Sequence, residues 1–188
     1  MQENQATIEG TTLQLPVPFM VLATQNPVEQ EGVYRLPEAQ LDRFLLRVEM
    51  GYPGRDREIT LLKVHSGPAE EPTQLLGADQ ILHLQSLLPQ VHGDETLLEY
   101  IVDLAEASRA HPDVALGASP RASLCLLRCA RARALLDGRH YFTHEDVWAI
   151  AAGVLGHRLI MRPEAEVEGK RTTDVIRELL DSVVVLQE

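Results

Sequence analysis

Lysine is scarce in this sequence, and positive charge as a whole is outnumbered by negative charge. Only Lys63 and Lys170 are lysines, and the 17 Lys and Arg residues face 28 Asp and Glu, which gives a formal net charge of −11. Proteins bind nucleic-acid phosphates through clustered Lys and Arg. No nucleic-acid partner is therefore expected, and the class of helical DNA-binding domains is disfavoured.

Long apolar runs and a basic N-terminus are absent as well. No stretch comes near the ~20 apolar residues that are needed to cross a bilayer. The N-terminal sequence MQENQATIEG is polar and acidic, whereas a secretory signal is basic and then apolar. The sequence predicts a cytoplasmic protein without a membrane span.

Cysteine is nearly absent. The two that occur, Cys125 and Cys129, lie four residues apart in a predicted helix. That spacing is awkward for a disulfide, and two thiols alone do not make a zinc site. We expect both to be buried free thiols in a reducing compartment. The remaining composition, 45% hydrophobic and 24% charged residues, is that of a folded globular chain.

The first 53 residues carry the patterns of strands. QATIEGTTLQL alternates on both sides of Glu9-Gly10, which predicts a β-hairpin. PFMVLAT (18–24) predicts a buried strand of the parallel-sheet type. LPEAQLDRF (36–44) has helical spacing after a proline, and LLRVEM (45–50) predicts a second strand.

The rest of the chain is predicted to be helical. A helix over 55–65 precedes a loop that reaches about residue 78, and further helices follow. One begins at Ser119-Pro120 and stops at Gly138, and the next begins at Thr143. The fold class is thus α+β and mainly helical, with an incomplete α/β piece over residues 1–53 and a helical part over 54–188.

Asn26 is the first candidate site residue. It follows the predicted buried strand 18–24, and ligands of open α/β sheets bind beyond the carboxyl ends of strands. An amide there can donate to a phosphate oxygen and orient a water molecule. Asn before a proline is also ordinary turn chemistry, so from position alone the two interpretations stay open.

Two arginines are the other candidates. Arg43 follows Asp42 and is either half of a weak surface ion pair or a cation presented to a neighbouring subunit's nucleotide. Arg121 lies in the first turn of a helix, where a cation opposes the helix dipole. Helix N-termini bind anions, so Arg121 suits a phosphate site, although an ion pair with a nearby Glu remains the alternative.

Two apparent motifs are rejected. EGKRTT lacks the first glycine and the Ser/Thr of the phosphate loop G-x-x-x-x-G-K-[ST], because Glu164 and Arg171 occupy those positions. His140 and His144 are four residues apart but have no third ligand at a suitable spacing. A turn and a helix cap explain them better.

Several runs resemble the MoxR family of AAA+ ATPases. The signature-like run is PFMVLATQNPVEQEGVYRLPEAQLDRFLLRVEMGYPGRDRE, and GASPRAS, ALLDGRHYFTHEDV, VLGHRLI and EAEVEGKRTTDVIRELL follow in the family's order. The resemblance covers nearly the whole chain. It implies the C-terminal part of such a motor, with the end of an AAA+ α/β core over 1–53 and a helical linker and lid over 54–188.

The resemblance also implies roles for the three candidates. Asn26 matches the sensor 1 residue, which reads the γ-phosphate and positions the attacking water. Arg43 matches the arginine finger, which acts on the neighbouring subunit's ATP. Arg121 matches the sensor 2 arginine of the lid, and the hairpin at Glu9-Gly10 resembles the pre-sensor 1 insertion. Their shared task would be electrostatic stabilisation of the transferring phosphoryl group.

For the full-length family the resemblance implies ATP and Mg²⁺ as ligands, a homo-oligomeric ring (a hexamer) and von Willebrand factor A-domain proteins as partners. The activity would be chaperone-like remodelling or maturation of those partners. This sequence contains neither a phosphate loop nor an apolar strand ending in Asp-Glu. We therefore expect the chain alone not to hydrolyse ATP. The alternative is a non-catalytic helical interaction module derived from such a motor.

Overall fold

The structure is a computed structural model that describes residues 5–8, 10–25, 36–65 and 72–184. The chain divides into two compact units. The first comprises Met1–Val33 and Met50–Ser86, and the second comprises Tyr34–Glu49 and Leu87–Glu188. The domain division after residue 53 stays a prediction.

The described elements confirm a mainly helical α+β fold. In chain order they are β1 (Gln5–Ile8), β2 (Thr11–Gln14), α1 (Glu38–Leu41), α2 (Arg55–His65), α3 (Ala78–Leu87), a 3₁₀ turn (Leu88–Gln90), α4 (Glu95–Ala110), β3 (Val114–Leu116), α5 (Pro120–Leu136), α6 (His144–Leu155), β4 (Ile160–Met161), α7 (Pro163–Val167) and α8 (Thr172–Ser182). No described helix is both long enough and apolar enough to cross a membrane.

In the first unit, the predicted hairpin is confirmed. β1 and β2 pair antiparallel, with Thr7 opposite Thr12. Gly10 at the turn has φ of 81°, a left-handed conformation that glycine adopts without steric cost. The predicted helix over 55–65 is α2.

The two predicted strands over 18–24 and 45–50 are wrong for this structure, since neither run has regular secondary structure. Large apolar side chains in them are exposed instead, among them Met20 at 78%, Leu22 at 82% and Met50 at 93%. A strand is stabilised by hydrogen bonds to a neighbouring strand. In the described part of the chain neither run has such a neighbour.

The second unit is built around α4, α5, α6 and α8. Their inward side chains form one apolar core, in which Leu104, Leu126, Val147, Val154 and Val175 are fully buried. Cys125 and Cys129 are buried in the same core as free thiols, as predicted. Sequence patterns do not predict the short antiparallel pair of β3 with β4.

The predicted ends of α5 are confirmed. Ser119 is the N-cap, and its hydroxyl accepts a hydrogen bond from the Ala122 amide at 3.4 Å. Pro120 takes the first helical position, where its missing N–H costs nothing. Gly138 follows the last turn with φ of 74°, the usual conformation for ending a helix.

The start of α6 is fixed by a buried carboxylate. Asp146 accepts from the Thr143 amide at 2.8 Å and from two nitrogens of Arg139 at 2.6 and 2.7 Å. Burial raises the pKa of Asp146, but the hydrogen bonds from Arg139 and Thr143 outweigh it and leave the pKa below its ordinary value. The carboxylate is therefore charged at neutral pH and joins the turn before α6 to its first turn.

Candidate functional site

Asn26, the proposed sensor 1 residue, lies outside the described residues. Residues 15–25, which precede it, have no regular secondary structure. No buried strand therefore leads to Asn26 in the described part of the chain. Its assignment rests on the resemblance alone.

Arg43 is presented to solvent just after α1. Its amide donates to the Gln40 carbonyl at 3.2 Å, which closes the turn that follows the helix. Its side chain is exposed, and its guanidinium makes no hydrogen bond or ion pair with any residue that the structure describes. Five N–H donors are thus available to an external acceptor.

Asp42, the residue before Arg43, is held by three other side chains. The Ser119 hydroxyl donates to its carboxylate at 3.1 Å, and Arg158 Nε donates at 3.0 Å. Arg121 Nη1 lies 3.4 Å from Oδ2. The surface pair between Asp42 and Arg43, an alternative suggested by the sequence, does not form.

Arg121 lies in the first turn of α5, as predicted, with its side chain 39% exposed. The carboxylate of Asp42 partly offsets the unfavourable placement of a cation at a helix N-terminus. A contact of 3.4 Å between two partly exposed side chains is weak. The Arg121 guanidinium therefore lies near the N-terminal end of α5 and is available to an anion that binds it more strongly than Asp42 does.

Arg158 is the residue of this site that sequence patterns did not single out. Its side chain is 1% exposed, and its guanidinium donates to the Asp42 carboxylate and to the carbonyls of Asp42 and Leu45, at 3.0, 3.1 and 3.2 Å. It also donates to the carbonyls of Phe44 and Val154. A buried cation must be paired. An arginine inside the largely apolar run VLGHRLI was the available signal.

The last turn of α6 and the residues just after it contact the segment 44–47 at two further points. The Arg47 amide donates to the Gly153 carbonyl at 2.8 Å, and a Cβ added at Gly153 would lie 3.3 Å from the Arg47 oxygen. The ring of His157 is 3.3 Å from the Phe44 carbonyl. Burial and the charge of Arg158 lower the pKa of His157, which favours its neutral form.

These groups suit contact with an anion and do not suit proton abstraction. Arg43 and Arg121 can only donate hydrogen bonds. The one carboxylate beside them, Asp42, is already engaged by Ser119, Arg121 and Arg158. Phosphate oxygens are the acceptors that guanidinium groups bind best.

A second charged cluster lies where α8 meets the segment before β3. Lys170 Nζ is 2.5 Å from Asp113 and 3.0 Å from Glu178, and His111 is 3.2 Å from Glu178. Hydrogen bonds from Lys170 lower the pKa of both carboxyls. The Lys170 ammonium group lies between the Asp113 and Glu178 carboxylates, where a metal ion bound by these residues would have to lie. Lys170 therefore has a structural role, which agrees with rejecting EGKRTT as a phosphate loop.

Two family models match this chain. The model described as ATPase family associated with various cellular activities (AAA) matches residues 1–46, and the AAA lid domain model matches residues 106–179. The first match contains Asp42 and Arg43, and the second contains Arg121 and Arg158. The two parts of the candidate site therefore lie in two modules of one ATPase family.

Curated relatives and a solved structure agree with these matches. The chain is 42% identical to the YeaC protein of Bacillus subtilis over 98% of this chain and 58% of that protein. It is 37% identical to chaperone MoxR1 of Mycobacterium tuberculosis over 100% of this chain and 52% of that protein. A crystal structure of a candidate ATPase from Cytophaga hutchinsonii superposes with a TM-score of 0.92 at 36% identity, over 99% of this chain and 60% of that one.

The chain spans just over half the length of the relatives that it matches. Within that span the matched modules, the relatives and the arrangement of the helices agree with one another. The chain belongs to the MoxR family of AAA+ ATPases.

Proposed function

We propose that this chain supplies Arg43 and Arg121 to ATP hydrolysis in a MoxR-type AAA+ assembly. Arg43 acts as an arginine finger on the nucleotide of the neighbouring subunit, and Arg121 contacts the γ-phosphate as the sensor 2 residue. Asn26 positions the attacking water as sensor 1. The observation that carries the proposal is Arg43 itself, an exposed guanidinium without a partner among the described residues.

The side chains present fit one part of a nucleotide. Arg43, which is exposed, offers donors to the terminal phosphate of the neighbouring subunit's nucleotide, and Arg121, which is 39% exposed, offers donors to a γ-phosphate as well. Mg²⁺-bound ATP supplies the phosphoryl group that is transferred to water. The sequence has no phosphate loop for the remaining phosphates. The chain's own contribution is thus to stabilise charge on the transferring group.

The assembly that we propose is a cytoplasmic homo-oligomeric ring, a hexamer, that remodels or matures von Willebrand factor A-domain proteins in the manner of a chaperone. The similarity to chaperone MoxR1 supports the chaperone activity. Met20, Leu22 and Met50 are exposed in the runs 18–24 and 45–50. Contiguous exposed apolar surface is uncommon in isolated monomers, which supports burial of these runs against other parts of the assembly.

Arg43→Ala tests the proposal in a chimera whose own ATP turnover is measured first. In this protein, called the YeaC chimera below, the present chain replaces the matching segment of Bacillus subtilis YeaC. Arginine fingers are worth about 10³–10⁵ in kcat, so turnover should fall to near background while ATP binding is retained. Arg128→Ala, at an exposed position of α5, is the matched control. Unchanged turnover in Arg43→Ala would refute the role of Arg43.

A second candidate function is a non-catalytic helical interaction module. The apolar core of the second unit, which is formed by that unit's own helices, favours it. Titration of ATP into the unmodified chain by calorimetry should give no binding under either candidate, whereas micromolar affinity would contradict both. The two candidates differ in the YeaC chimera, where only the first predicts turnover that depends on Arg43.

A further inference from the structure

We propose that Arg158 is a positioning residue for Arg43. Its buried guanidinium fixes the backbone on both sides of Arg43 and joins that segment to the C-terminal end of α6. The role in turnover rests on the proposed function of Arg43, but the physical link is independent of it.

The acceptors of Arg158 flank Arg43 in the chain. Before Arg43, Arg158 binds the Asp42 carboxylate at 3.0 Å and the Asp42 carbonyl at 3.1 Å. After Arg43, it binds the carbonyls of Phe44 and Leu45, the latter at 3.2 Å. Arg43 is thus the exposed residue in a short segment whose neighbours on both sides are fixed by one side chain.

Backbone acceptors distinguish this arrangement from an ordinary ion pair. An ion pair with Asp42 would require only the carboxylate, whereas three of the acceptors here are carbonyls that define the path of the chain. Arg158 is buried, so alternative partners such as water are not at hand. The planar fork of an arginine reaches several acceptors at once, which the single ammonium of a lysine cannot do.

The same guanidinium also contacts the helix α6. It donates to the Val154 carbonyl in the last turn of that helix. The Gly153 carbonyl accepts from the Arg47 amide at 2.8 Å, and His157 lies 3.3 Å from the Phe44 carbonyl. Segment 42–47 and the end of α6 therefore move together, so that displacement of α6 would displace Arg43.

The first test uses the unmodified chain and Arg158→Lys, which keeps a positive charge. Amide hydrogen exchange is measured at Arg43, Phe44 and Arg47. Loss of charged hydrogen bonds should speed local opening there by about ten- to a hundredfold, while amides of α4 remain protected. Arg128→Lys serves as the matched control. Unchanged exchange at the three amides would overturn the physical link.

The second test measures kcat and the KM for ATP in the YeaC chimera. A misplacement of about 1 Å at a catalytic group costs about a hundredfold in rate, so Arg158→Lys should lower kcat by that order with little change in KM. Arg128→Lys should keep the parental values. A loss of kcat and an equal loss of ATP affinity would indicate a general structural role and would overturn the proposal.

The two proposals fail in different ways. If Arg43→Ala abolishes turnover and Arg158→Lys does not lower it, positioning by Arg158 is wrong and the role of Arg43 stands. If Arg43→Ala leaves turnover unchanged, the proposed function is wrong and no role in turnover remains for Arg158. If Arg158→Lys does not fold, Asp42→Asn is used in its place, because it removes the charge that Arg158 binds. It should change hydrogen exchange and kcat in the same direction but by less. No change in either quantity would overturn the proposal.

Discussion

At the scale of one residue, the partners of Asp42 determine whether Arg43 is free to bind an external ligand. In the sequence it stands beside Arg43, and a pair between the two is the simplest alternative to a functional Arg43. In the structure its carboxylate binds Ser119 and Arg158 and lies 3.4 Å from Arg121. Among the residues that the structure describes, Arg43 has no acceptor, so its guanidinium is available to an external ligand.

Arg121 should discriminate between ATP and ADP, because only ATP carries the γ-phosphate. A charged hydrogen bond contributes about 1.5–3 kcal/mol, so Arg121→Ala in the YeaC chimera should weaken ATP binding by about ten- to a hundredfold. ADP affinity should hardly change. The contact with Asp42 is long and partly exposed to solvent and contributes about 1 kcal/mol or less, so the melting temperature should be nearly constant.

Nucleotide affinities and the melting temperature are measured on one preparation of Arg121→Ala. Equal losses of affinity for ATP and ADP would contradict a γ-phosphate contact. A large fall in melting temperature would show that the pair with Asp42 is structural. Arg128→Ala, on the same helix, provides the comparison for loss of an arginine.

Helix α6 is the element on which the candidate site depends, and its two ends are fixed by different chemistry. At its start, the buried carboxylate of Asp146 binds Arg139 and the Thr143 amide. At its end, Gly153 in the last turn and His157 and Arg158 just after the helix contact the segment around Arg43. Sequence signals predict the start, and they say nothing about the end.

Asp146→Ala should destabilise the second unit by about 1.5–3 kcal/mol, the usual contribution of hydrogen bonds to a charged group. The loss would leave Arg139 without its main acceptor. Glu145→Ala is the matched control, because Glu145 lies in the same helical turn but is exposed. Denaturant unfolding followed by the fluorescence of Trp148, the sole tryptophan, measures both. Equally small losses of unfolding free energy in Asp146→Ala and Glu145→Ala would contradict the stabilising role of Asp146.

His157 should make stability depend on pH below about 6.5, the ordinary pKa of histidine. Its pKa is lowered in the folded state, so the unfolded chain binds a proton first as pH falls. The free energy of unfolding therefore decreases from about pH 6.5 until pH passes the folded pKa. His157→Gln keeps a donor for the Phe44 carbonyl and should remove this dependence.

Urea unfolding at about pH 7.5 and about pH 5.5 measures the effect of His157. His140→Gln is the control, because His140 is exposed. Identical pH dependence of the wild type and His157→Gln would show that His157 is not the group that titrates.

At the scale of the whole molecule, local signals predicted local structure. The cap at Ser119-Pro120, the stop at Gly138 and the start of α6 at Thr143 all depend on a few neighbouring residues. The apolar residues Leu97, Ile101, Leu104 and Ala105 of α4 have helical spacing, and all four are buried. The mainly helical α+β fold follows from such signals together with the hairpin.

The predictions that were wrong or missing concern contacts between residues that are far apart in the sequence. The runs 18–24 and 45–50 have the composition of strands, but a strand needs a neighbour that the pattern does not supply. Arg158 binds Asp42 across 116 positions of sequence. Spacing along the chain cannot reveal such a contact, although a charge beside an apolar run indicates that a buried partner is needed.

The most direct test of the central claim is a mixture of two inactive YeaC chimeras. One carries Arg43→Ala, and the other carries a substitution of the phosphate-loop lysine that we expect, from the family pattern, in the part that this chain does not span. If Arg43 acts on the neighbouring subunit's nucleotide, mixed rings contain interfaces with an intact loop and an intact Arg43, and ATP turnover should return in part. No turnover in mixtures whose co-assembly is demonstrated would contradict the claim that this chain supplies an arginine finger.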